Sequence, residues 1–253
     1  MELTFAGHSL VKKLLYAQRS IRDSVSVLLG RQKTTIPLTV EPDPPPVYMN
    51  FKIAPHRVVA FERRLALPNA LAPTPVRCLR GEAEDLLLTL KVYRVNGPAR
   101  GMRAEWSTYV CDWEGKPRHM VVEARCNRVG IDPVDIIARP SRVEHRRDGR
   151  LVTTRVVSEG ERLFCASFQL PDDDSSSTVK LAADWVSAND HVYRENGVCD
   201  RVSYDAGLAH ARVLGLPEQR YTIADSTRWS RYVESSPKHV LVVGGAMSFM
   251  NPN

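Results

Sequence analysis

Polar and apolar side chains alternate along residues 102–110, and this spacing puts the polar groups on one side of a strand. Successive strand residues point to opposite faces of a sheet, so one face carries Arg103, Glu105, Ser107 and Tyr109. A carboxylate in such a place can act as a general acid or base, while a neighbouring guanidinium holds an anionic substrate. The segment therefore predicts a strand whose polar face is suited to acid–base chemistry.

A second strand is predicted to return beside the first after the turn Glu114-Gly115-Lys116. A three-residue loop is common in hairpins, and it places Trp113 opposite Pro117. It also pairs Tyr109 with Val121, Ser107 with Glu123, and Glu105 with Arg125. A two-residue loop would place Glu105 opposite Ala124 and mix polar with apolar faces. The three-residue register therefore predicts one polar patch, built from Arg103, Glu105, Ser107, Tyr109, His119, Glu123 and Arg125.

Two interpretations of this patch stay open. As a solvent-facing surface it would gain a few tenths of a kcal/mol from each cross-strand pair. As the lining of a cavity it would hold desolvated groups with shifted pKa values, which acid–base catalysis needs. On the second interpretation Glu105 is the predicted catalytic acid or base, with His119 and Glu123 as further catalytic candidates. The predicted substrate-binding residues are Arg103, Arg118, Arg125, Tyr109 and Tyr193.

The elements around the patch are predicted to be strands. Short apolar or alternating runs occupy 57–61, 86–95, 102–112, 118–128, 150–157, 162–170 and 239–244. Turn sequences such as Asp148-Gly149 separate them, and strands at such close spacing are typical of an antiparallel sandwich or barrel. No apolar run reaches the roughly 18 residues that a transmembrane helix needs.

The first 47 residues have a different character. Residues 7–30 have apolar positions near helical spacing, which predicts an amphipathic helix docked on the domain, on a second subunit or on a membrane surface. Lys12 and Lys13 interrupt its apolar run, and such an interruption is not expected in a signal peptide. Prolines in residues 31–47 favour an extended connector. The chain is thus predicted to consist of a helix and connector over 1–47 and a β-barrel domain over 48–253.

Composition narrows the classes of function. The net charge is +6 and 43% of the residues are hydrophobic, as in an ordinary globular protein. Basic residues are spread among acidic ones, so nucleic acid is not an expected partner. The cysteines form no CxxC motif and the histidines no metal-binding spacing, so no metal and no cofactor are predicted. The expected partner is a small-molecule substrate, in the cytoplasm.

Two stretches resemble the acetoacetate decarboxylase-like superfamily. They are Gly101-Met102-Arg103-Ala104-Glu105-Trp106-Ser107 with Pro117-Arg118-His119-Met120, and later Trp185, Asn189-Asp190, Tyr193, Asn196-Gly197-Val198 and Asp200-Arg201. The resemblance covers residues 85–170 well and 180–245 loosely. It implies a closed, cone-like β-barrel with a polar interior, and often a homo-oligomer.

The resemblance also implies a reaction. In that family a strand-borne lysine forms a Schiff base with a ketone or 2-oxo acid, and glutamates and an arginine orient the substrate. Glu105 matches a family glutamate, but the matching lysine strand, 162–170, contains no lysine. The nearest lysines in the sequence, Lys91, Lys116 and Lys180, lie elsewhere.

These observations together predict an all-β protein with short helical insertions. Its predicted function is lyase-like, hydratase/dehydratase or cyclase chemistry on a small carbonyl or carboxylate metabolite of secondary metabolism, by non-covalent acid–base steps. The alternatives are a non-catalytic, lipocalin-like binding barrel and an interaction module that uses a basic hairpin near residue 148.

Overall fold

The fold is that of a computed structural model of the 253-residue chain. The structure describes residues 38–67, 71–96, 101–112, 114–127, 138–158, 160–172, 178–187, 191–195, 198–202, 208, 211–244 and 247–249. The predicted helix of residues 7–30 lies outside these ranges. In the described part of the chain, no helix is long and apolar enough to cross a membrane.

Strands dominate the described residues. They are β1 (Leu38–Val40), β2 (Val47–Lys52), β3 (Ala72–Pro73), β4 (Leu87–Asn96), β5 (Gly101–Cys111), β6 (Pro117–Cys126), β7 (Ala138–Pro140), β8 (Arg142–Asp148), β9 (Leu151–Ser158), β10 (Glu161–Gln169), β11 (His191–Glu195), β12 (Val198–Val202), β13 (Arg212–Gly215), β14 (Tyr221–Asp225), β15 (His239–Gly244) and β16 (Met247–Phe249). The helices are α1 (Val58–Leu65) and α2 (Ala183–Ser187), with short 3-10 helices at Pro55–Arg57, Glu218–Arg220 and Ser230–Tyr232. The predicted strand-rich fold with short helices is confirmed.

The larger sheet positions the polar patch. Its strand order is β12-β11-β6-β5-β4-β2-β15-β13, and β4, β5 and β6 follow one another as antiparallel neighbours. Strand β11 joins β6 in parallel, with His191 opposite His119. Among the described strands no pairing joins β13 to β12, so closure into a cone-like barrel stays a prediction.

A smaller antiparallel sheet, in the order β14-β10-β9-β8, covers one face of the larger one. The apolar cluster between them contains Leu90 and Val92 of β4 together with Phe164 and Phe168 of β10. Fully burying one such side chain contributes about 1.5–3 kcal/mol. The β8–β9 hairpin turns at Gly149, whose φ of 55° is in the left-handed region that glycine tolerates best.

Residues 57–61 form helix and not the predicted strand. Residue 57 ends a 3-10 helix, and α1 begins at Val58. The short apolar run is compatible with the side-chain period of a strand and with that of a helix. Phe61 and Leu65, the buried residues of α1, are four residues apart and so lie on one face of the helix. The Phe61 ring packs edge-to-face on Tyr232 at 5.7 Å, so tertiary packing selects the helix.

The predicted register of the β5–β6 hairpin is wrong. Cys111 lies opposite Pro117, and the connecting loop is longer because the Asp112 carboxylate accepts hydrogen bonds from the backbone N–H groups of Glu114 and Lys116, each at 2.9 Å. The predicted partner pairs therefore shift. The observed pairs are Tyr109 with His119, Ser107 with Val121, Trp106 with Glu123, Glu105 with Ala124, and Ala104 with Arg125.

A β-bulge lies within this hairpin. Ser107 pairs with Val121 and Trp106 with Glu123, so Val122 is an extra residue without an opposite partner in the ladder. One extra residue moves every following side chain to the other face of the sheet. His119 and Val121 therefore share a face with Ser107 and Glu105, whereas Glu123 and Arg125 share a face with Trp106.

The proline-rich connector is tied to the smaller sheet by a buried histidine. Nε2 of His145 donates to the Pro45 carbonyl at 2.9 Å, and Nδ1 accepts from the Thr154 hydroxyl at 2.7 Å. Burial lowers the pKa of His145 to about 4, against a smaller opposing effect of the Pro45 carbonyl. The imidazole is neutral at pH 7 and acts as a structural clamp.

Candidate functional site

Polar side chains from neighbouring strands meet on the face of the larger sheet that is turned away from the smaller one. Tyr48 of β2 lies opposite Lys91 of β4, and Lys91 lies opposite Glu105 of β5. Each is exposed by 2% or less. We call the following set the polar cluster: Tyr48, Thr89, Lys91, Tyr93, Arg103, Glu105, Tyr109 and His119.

The carboxylate of Glu105 is the anionic centre of the polar cluster. Its Oε2 accepts from Nε of Arg103 at 2.7 Å and from the Tyr93 hydroxyl at 3.0 Å. Its Oε1 lies 3.5 Å from Nζ of Lys91. The carboxylate thus lies against a guanidinium, a phenol and an amine, and the amine is the neighbour from which it could accept a proton.

Lys91 is a buried amine with a shifted pKa. Burial lowers its pKa to about 8, while the charge of Glu105 opposes this shift and the charge of Arg103 adds to it. Its Nζ lies 3.3 Å from Nδ1 of His119 and 5.3 Å from the centre of the Tyr48 ring. A lysine whose pKa is depressed in this way holds a usable fraction of neutral, nucleophilic amine near physiological pH.

His119 lies beside the amine. Its ring packs edge-to-face on Tyr109, with ring centres 5.4 Å apart. The Thr89 hydroxyl donates to Oδ1 of Asn50 at 2.7 Å, so the Tyr109 hydroxyl is the donor in its 3.2 Å contact with Thr89. A protonated Lys91 donates to Nδ1, which puts the imidazole proton on Nε2. His119 can therefore accept a proton from the amine.

The structure brings together part of the predicted patch. Arg103, Glu105, Tyr109 and His119 are in the polar cluster, all buried. The solvent-facing interpretation of the β5 polar face is therefore wrong, and the lining of a cavity by this face stays a prediction. The Ser107 hydroxyl, on the same face, donates to the Thr89 carbonyl at 3.2 Å.

Glu123 and Arg125 lie on the opposite face, because the bulge at Val122 turns them away. Oε1 of Glu123 lies 2.8 Å from Nε of Arg125, and its Oε2 accepts from the Trp229 indole at 2.9 Å. Arg125 in turn donates to the Ser158 hydroxyl at 3.0 Å. This pair joins β6 to the smaller sheet and does not belong to the polar cluster.

Two other predicted residues do not add to the cluster. Arg118 neighbours His119 in β6 and so points to the other face, where its Nε donates to Oδ2 of Asp112 at 2.6 Å. Tyr193 lies in β11 opposite Asp200 in the ladder, and its side chain is outside the described part of the structure.

Sequence reasoning set Lys91 aside because of its position in the chain, and it missed Tyr93 and Tyr48. The signal for the first two was present in β4, where Thr89, Lys91 and Tyr93 alternate with apolar residues. The resemblance instead places the Schiff-base lysine at residues 162–170. Those residues form β10, whose buried side chains belong to the apolar cluster between the sheets.

The described residues include no group of three or more His, Cys, Asp or Glu side chains that could hold a metal ion. The titratable groups that do meet, an amine, a carboxylate and an imidazole, can transfer protons and attack an electrophilic carbon without one.

Comparisons with known proteins bear on the fold. No family model and no curated protein matches the chain. Acetoacetate decarboxylase from Legionella pneumophila aligns with a TM-score of 0.55 at 8% identity, covering 88% of each chain. The enduracididine biosynthesis enzyme MppR aligns with a TM-score of 0.56 at 10% identity, covering 86% of this chain and 87% of MppR.

A third solved structure also aligns with the fold of this chain. An acetoacetate decarboxylase-like enzyme from Sphingomonas wittichii RW1 aligns with a TM-score of 0.52 at 9% identity, covering 87% of this chain and 91% of that enzyme. These alignments show that the chain has the acetoacetate decarboxylase-like fold that its sequence resemblance predicts.

Proposed function

We propose that this protein is an acetoacetate decarboxylase-like enzyme that acts on a small carbonyl compound through an imine on Lys91. The observation that carries the proposal is the environment of this one amine. Lys91 is buried, its pKa is lowered to about 8, and its Nζ lies 3.5 Å from a carboxylate oxygen and 3.3 Å from an imidazole nitrogen. These are a nucleophile and two proton acceptors within reach of it.

The imine step balances with the groups present. The Lys91 ammonium passes one proton to Glu105, and the neutral nitrogen attacks the carbonyl carbon as the C=O electron pair moves to oxygen. A second proton then leaves the nitrogen by way of Nδ1 of His119 and reaches that oxygen. The C–O bond breaks, Glu105 returns its proton to the departing hydroxyl, and water leaves. The product is a protonated imine beside an ionised Glu105, the charge balance of the resting site.

Charge supports an anionic carbonyl substrate. Among the described residues of the polar cluster, Lys91 and Arg103 are cationic and Glu105 is the carboxylate. Two cations and one carboxylate give the described side chains of this cluster a net positive charge, which favours an anionic substrate. The structure of MppR contains the condensation product of pyruvate and imidazole 4-carboxaldehyde. A 2-oxo acid is accordingly the substrate class that we propose.

The test is trapping of the imine. The full chain is incubated with pyruvate, or with butanone as an uncharged ketone, and sodium cyanoborohydride, and intact mass is followed by peptide mapping. We expect a single adduct on Lys91, more rapid with pyruvate than with butanone. The variant Lys91→Met should form none, while Lys180→Met, which removes a lysine outside the cluster, should react like the parent.

Each other outcome contradicts a defined part of the proposal. An adduct on a different lysine would remove Lys91 from its role. Faster reaction with butanone would argue against a carboxylate subsite. No adduct at all would overturn imine chemistry and favour the non-covalent acid–base reaction predicted from the sequence, with Glu105 as the base. Loss of turnover in Glu105→Gln would then separate that enzyme from a non-catalytic binding protein.

A further inference from the structure

Tyr48 occupies the position next to the amine on the side away from Glu105. It lies directly opposite Lys91 in the β2–β4 ladder, as Glu105 does in the β4–β5 ladder. Side chains opposite one another on adjacent strands share a face of the sheet. Lys91 is therefore flanked by a carboxylate on one side and a phenol on the other.

The hydroxyl of Tyr48 is buried and has no hydrogen-bond partner among the described residues. The other two tyrosines of the polar cluster differ. Tyr93 donates to Glu105 at 3.0 Å and Tyr109 contacts Thr89 at 3.2 Å. Proteins satisfy most buried hydroxyls, since an unsatisfied one costs about 1–3 kcal/mol. A phenol left without a partner beside a reactive amine is a candidate ligand contact.

The phenol is also kept in its neutral form. Burial raises the pKa of Tyr48, and the charges of Glu105 and then Tyr109 raise it further. A neutral phenol carries a proton to donate at any physiological pH.

We infer that the Tyr48 hydroxyl donates a hydrogen bond to the carbonyl oxygen of the substrate that Lys91 attacks. This inference rests on the proposed function and adds a second recognition element to it. The carbonyl carbon bonds to Nζ of Lys91, so its oxygen carries the developing negative charge close to this nitrogen, which lies 5.3 Å from the centre of the Tyr48 ring. A donor held in place beside that charge stabilises the transition state more than the ground state.

The role predicts a selective loss in Tyr48→Phe. The substitution removes only a hydroxyl that has no partner among the described residues, so the variant should fold with an unchanged thermal midpoint. Imine formation with pyruvate should slow by roughly 100- to 1,000-fold, the range seen when one such donor is removed. Tyr232→Phe, which changes a buried tyrosine near α1, should leave the rate unchanged.

A second reagent separates this role from a structural one. Acrylonitrile alkylates a neutral amine through carbon and offers no carbonyl oxygen. Its rate on Lys91, read by peptide mapping, should be the same in the parent and in Tyr48→Phe. The signature is therefore a slower reaction with pyruvate and an unchanged reaction with acrylonitrile.

The outcomes distinguish the two proposals. Equal pyruvate rates in the parent and Tyr48→Phe would overturn the role of Tyr48 and leave Lys91 chemistry intact. Slower reaction with both reagents would mean that Tyr48 only positions the amine, which also overturns the inference. A parent protein that acrylonitrile alkylates on Lys91 but that forms no pyruvate adduct would contradict the proposed function itself.

Discussion

Lys91 and Glu105 lie directly opposite each other on β4 and β5, with Nζ of the lysine 3.5 Å from Oε1 of the glutamate and each residue 2% exposed. Glu105 is not paired with Lys91 alone, because Nε of Arg103 donates to its other oxygen, Oε2, at 2.7 Å. The lysine thus shares one carboxylate with a stronger partner. This sharing explains why the attraction of Glu105 does not offset the effect of burial, and why the pKa of Lys91 falls to about 8.

The first prediction concerns the pH dependence of the Lys91 amine. A lysine with a lowered pKa is neutral above that pKa and protonated below it. The rate of alkylation by acrylonitrile should therefore rise with pH up to about 8 and level off above it. At pH 6 it should be roughly 50-fold below the value at pH 8, by the ratio of neutral fractions.

Lys52 is the internal control for this measurement. It is an exposed lysine whose pKa is raised by its hydrogen bond to Asp85. Its alkylation should still be increasing with pH where that of Lys91 has levelled off. Parallel profiles for the two peptides would contradict the lowered pKa and with it the nucleophilic role.

The second prediction concerns Glu105→Gln. The negative charge of Glu105 raises the pKa of Lys91, so an uncharged amide at this position should lower that pKa further below about 8. The alkylation profile should shift to lower pH, while imine formation with pyruvate should slow because the proton acceptor is lost. Both quantities come from the same peptide-mapping assay.

Glu123→Gln is the matched control for Glu105→Gln. It makes the same chemical change in another buried ion pair on a neighbouring strand, 4% exposed, but on the opposite face of the sheet. In Glu123→Gln the pH profile of Lys91 alkylation should not shift. An equal shift in both variants would mean that the change acts through the fold and not through the charge of Glu105.

Part of this site could be predicted from the sequence because strand alternation is a local property. The period of two along β5 puts Arg103, Glu105 and Tyr109 on one face whatever the rest of the chain does. The alternation in β4 carries the same information and would have added Lys91. The resemblance places the Schiff-base lysine at residues 162–170, where the structure has a strand of the smaller sheet whose buried side chains are apolar.

The rest of the site could not be read from the pattern, because it depends on pairing between strands. The hydrogen bonds of Asp112 lengthen the turn, and the bulge at Val122 then reverses the faces of Glu123 and Arg125. In the sequence, the polar residues of β6 before and after Val122 follow the same alternation, so the pattern alone does not reveal the bulge. The position of Tyr48 beside Lys91 joins residues far apart in the chain, and only the sheet topology shows it.

The third prediction concerns the buried histidine. The pKa of His145 falls from an ordinary 6.5 to about 4 in the fold. Below pH 6.5 the unfolded chain therefore binds a proton that the folded chain does not, so stability is lost as the pH falls from 6.5 toward 4. The full loss from this group is roughly 3 kcal/mol at 1.36 kcal/mol per unit of pKa.

The test compares His145→Gln with the parent by urea unfolding at pH 7 and pH 4.5. Other groups titrate in this range, so the informative quantity is the difference in unfolding free energy between the two proteins. We expect the parent to be more stable at pH 7 and to lose most of that advantage at pH 4.5. His56→Gln, at an exposed histidine, should give no such change, and a pH-independent difference for His145→Gln would refute the neutral clamp.

The last prediction asks whether Lys91 is kept for stability or for chemistry. Its pKa lies below that of an ordinary lysine, so near pH 7 the folded state pays a penalty of roughly 3 kcal/mol for the buried ammonium. Glu105 keeps Arg103 and Tyr93 as partners when the lysine is absent. Lys91→Met should therefore raise the unfolding free energy by about 1–3 kcal/mol at pH 7, a gain of the size seen when whole buried ion pairs are replaced by apolar residues.

Raising the pH should remove this gain. As the pH increases from 8 toward 10.5 the lysine of the parent becomes neutral in the fold, its penalty declines, and the two proteins should approach each other in stability. Arg103→Met provides the contrast, because it removes the closest cation of Glu105 and should cost about 3–5 kcal/mol. If Lys91→Met lost as much stability as Arg103→Met, Lys91 would be a structural partner of Glu105. A gain that disappears at alkaline pH fits a residue retained for its reactive amine at the expense of stability.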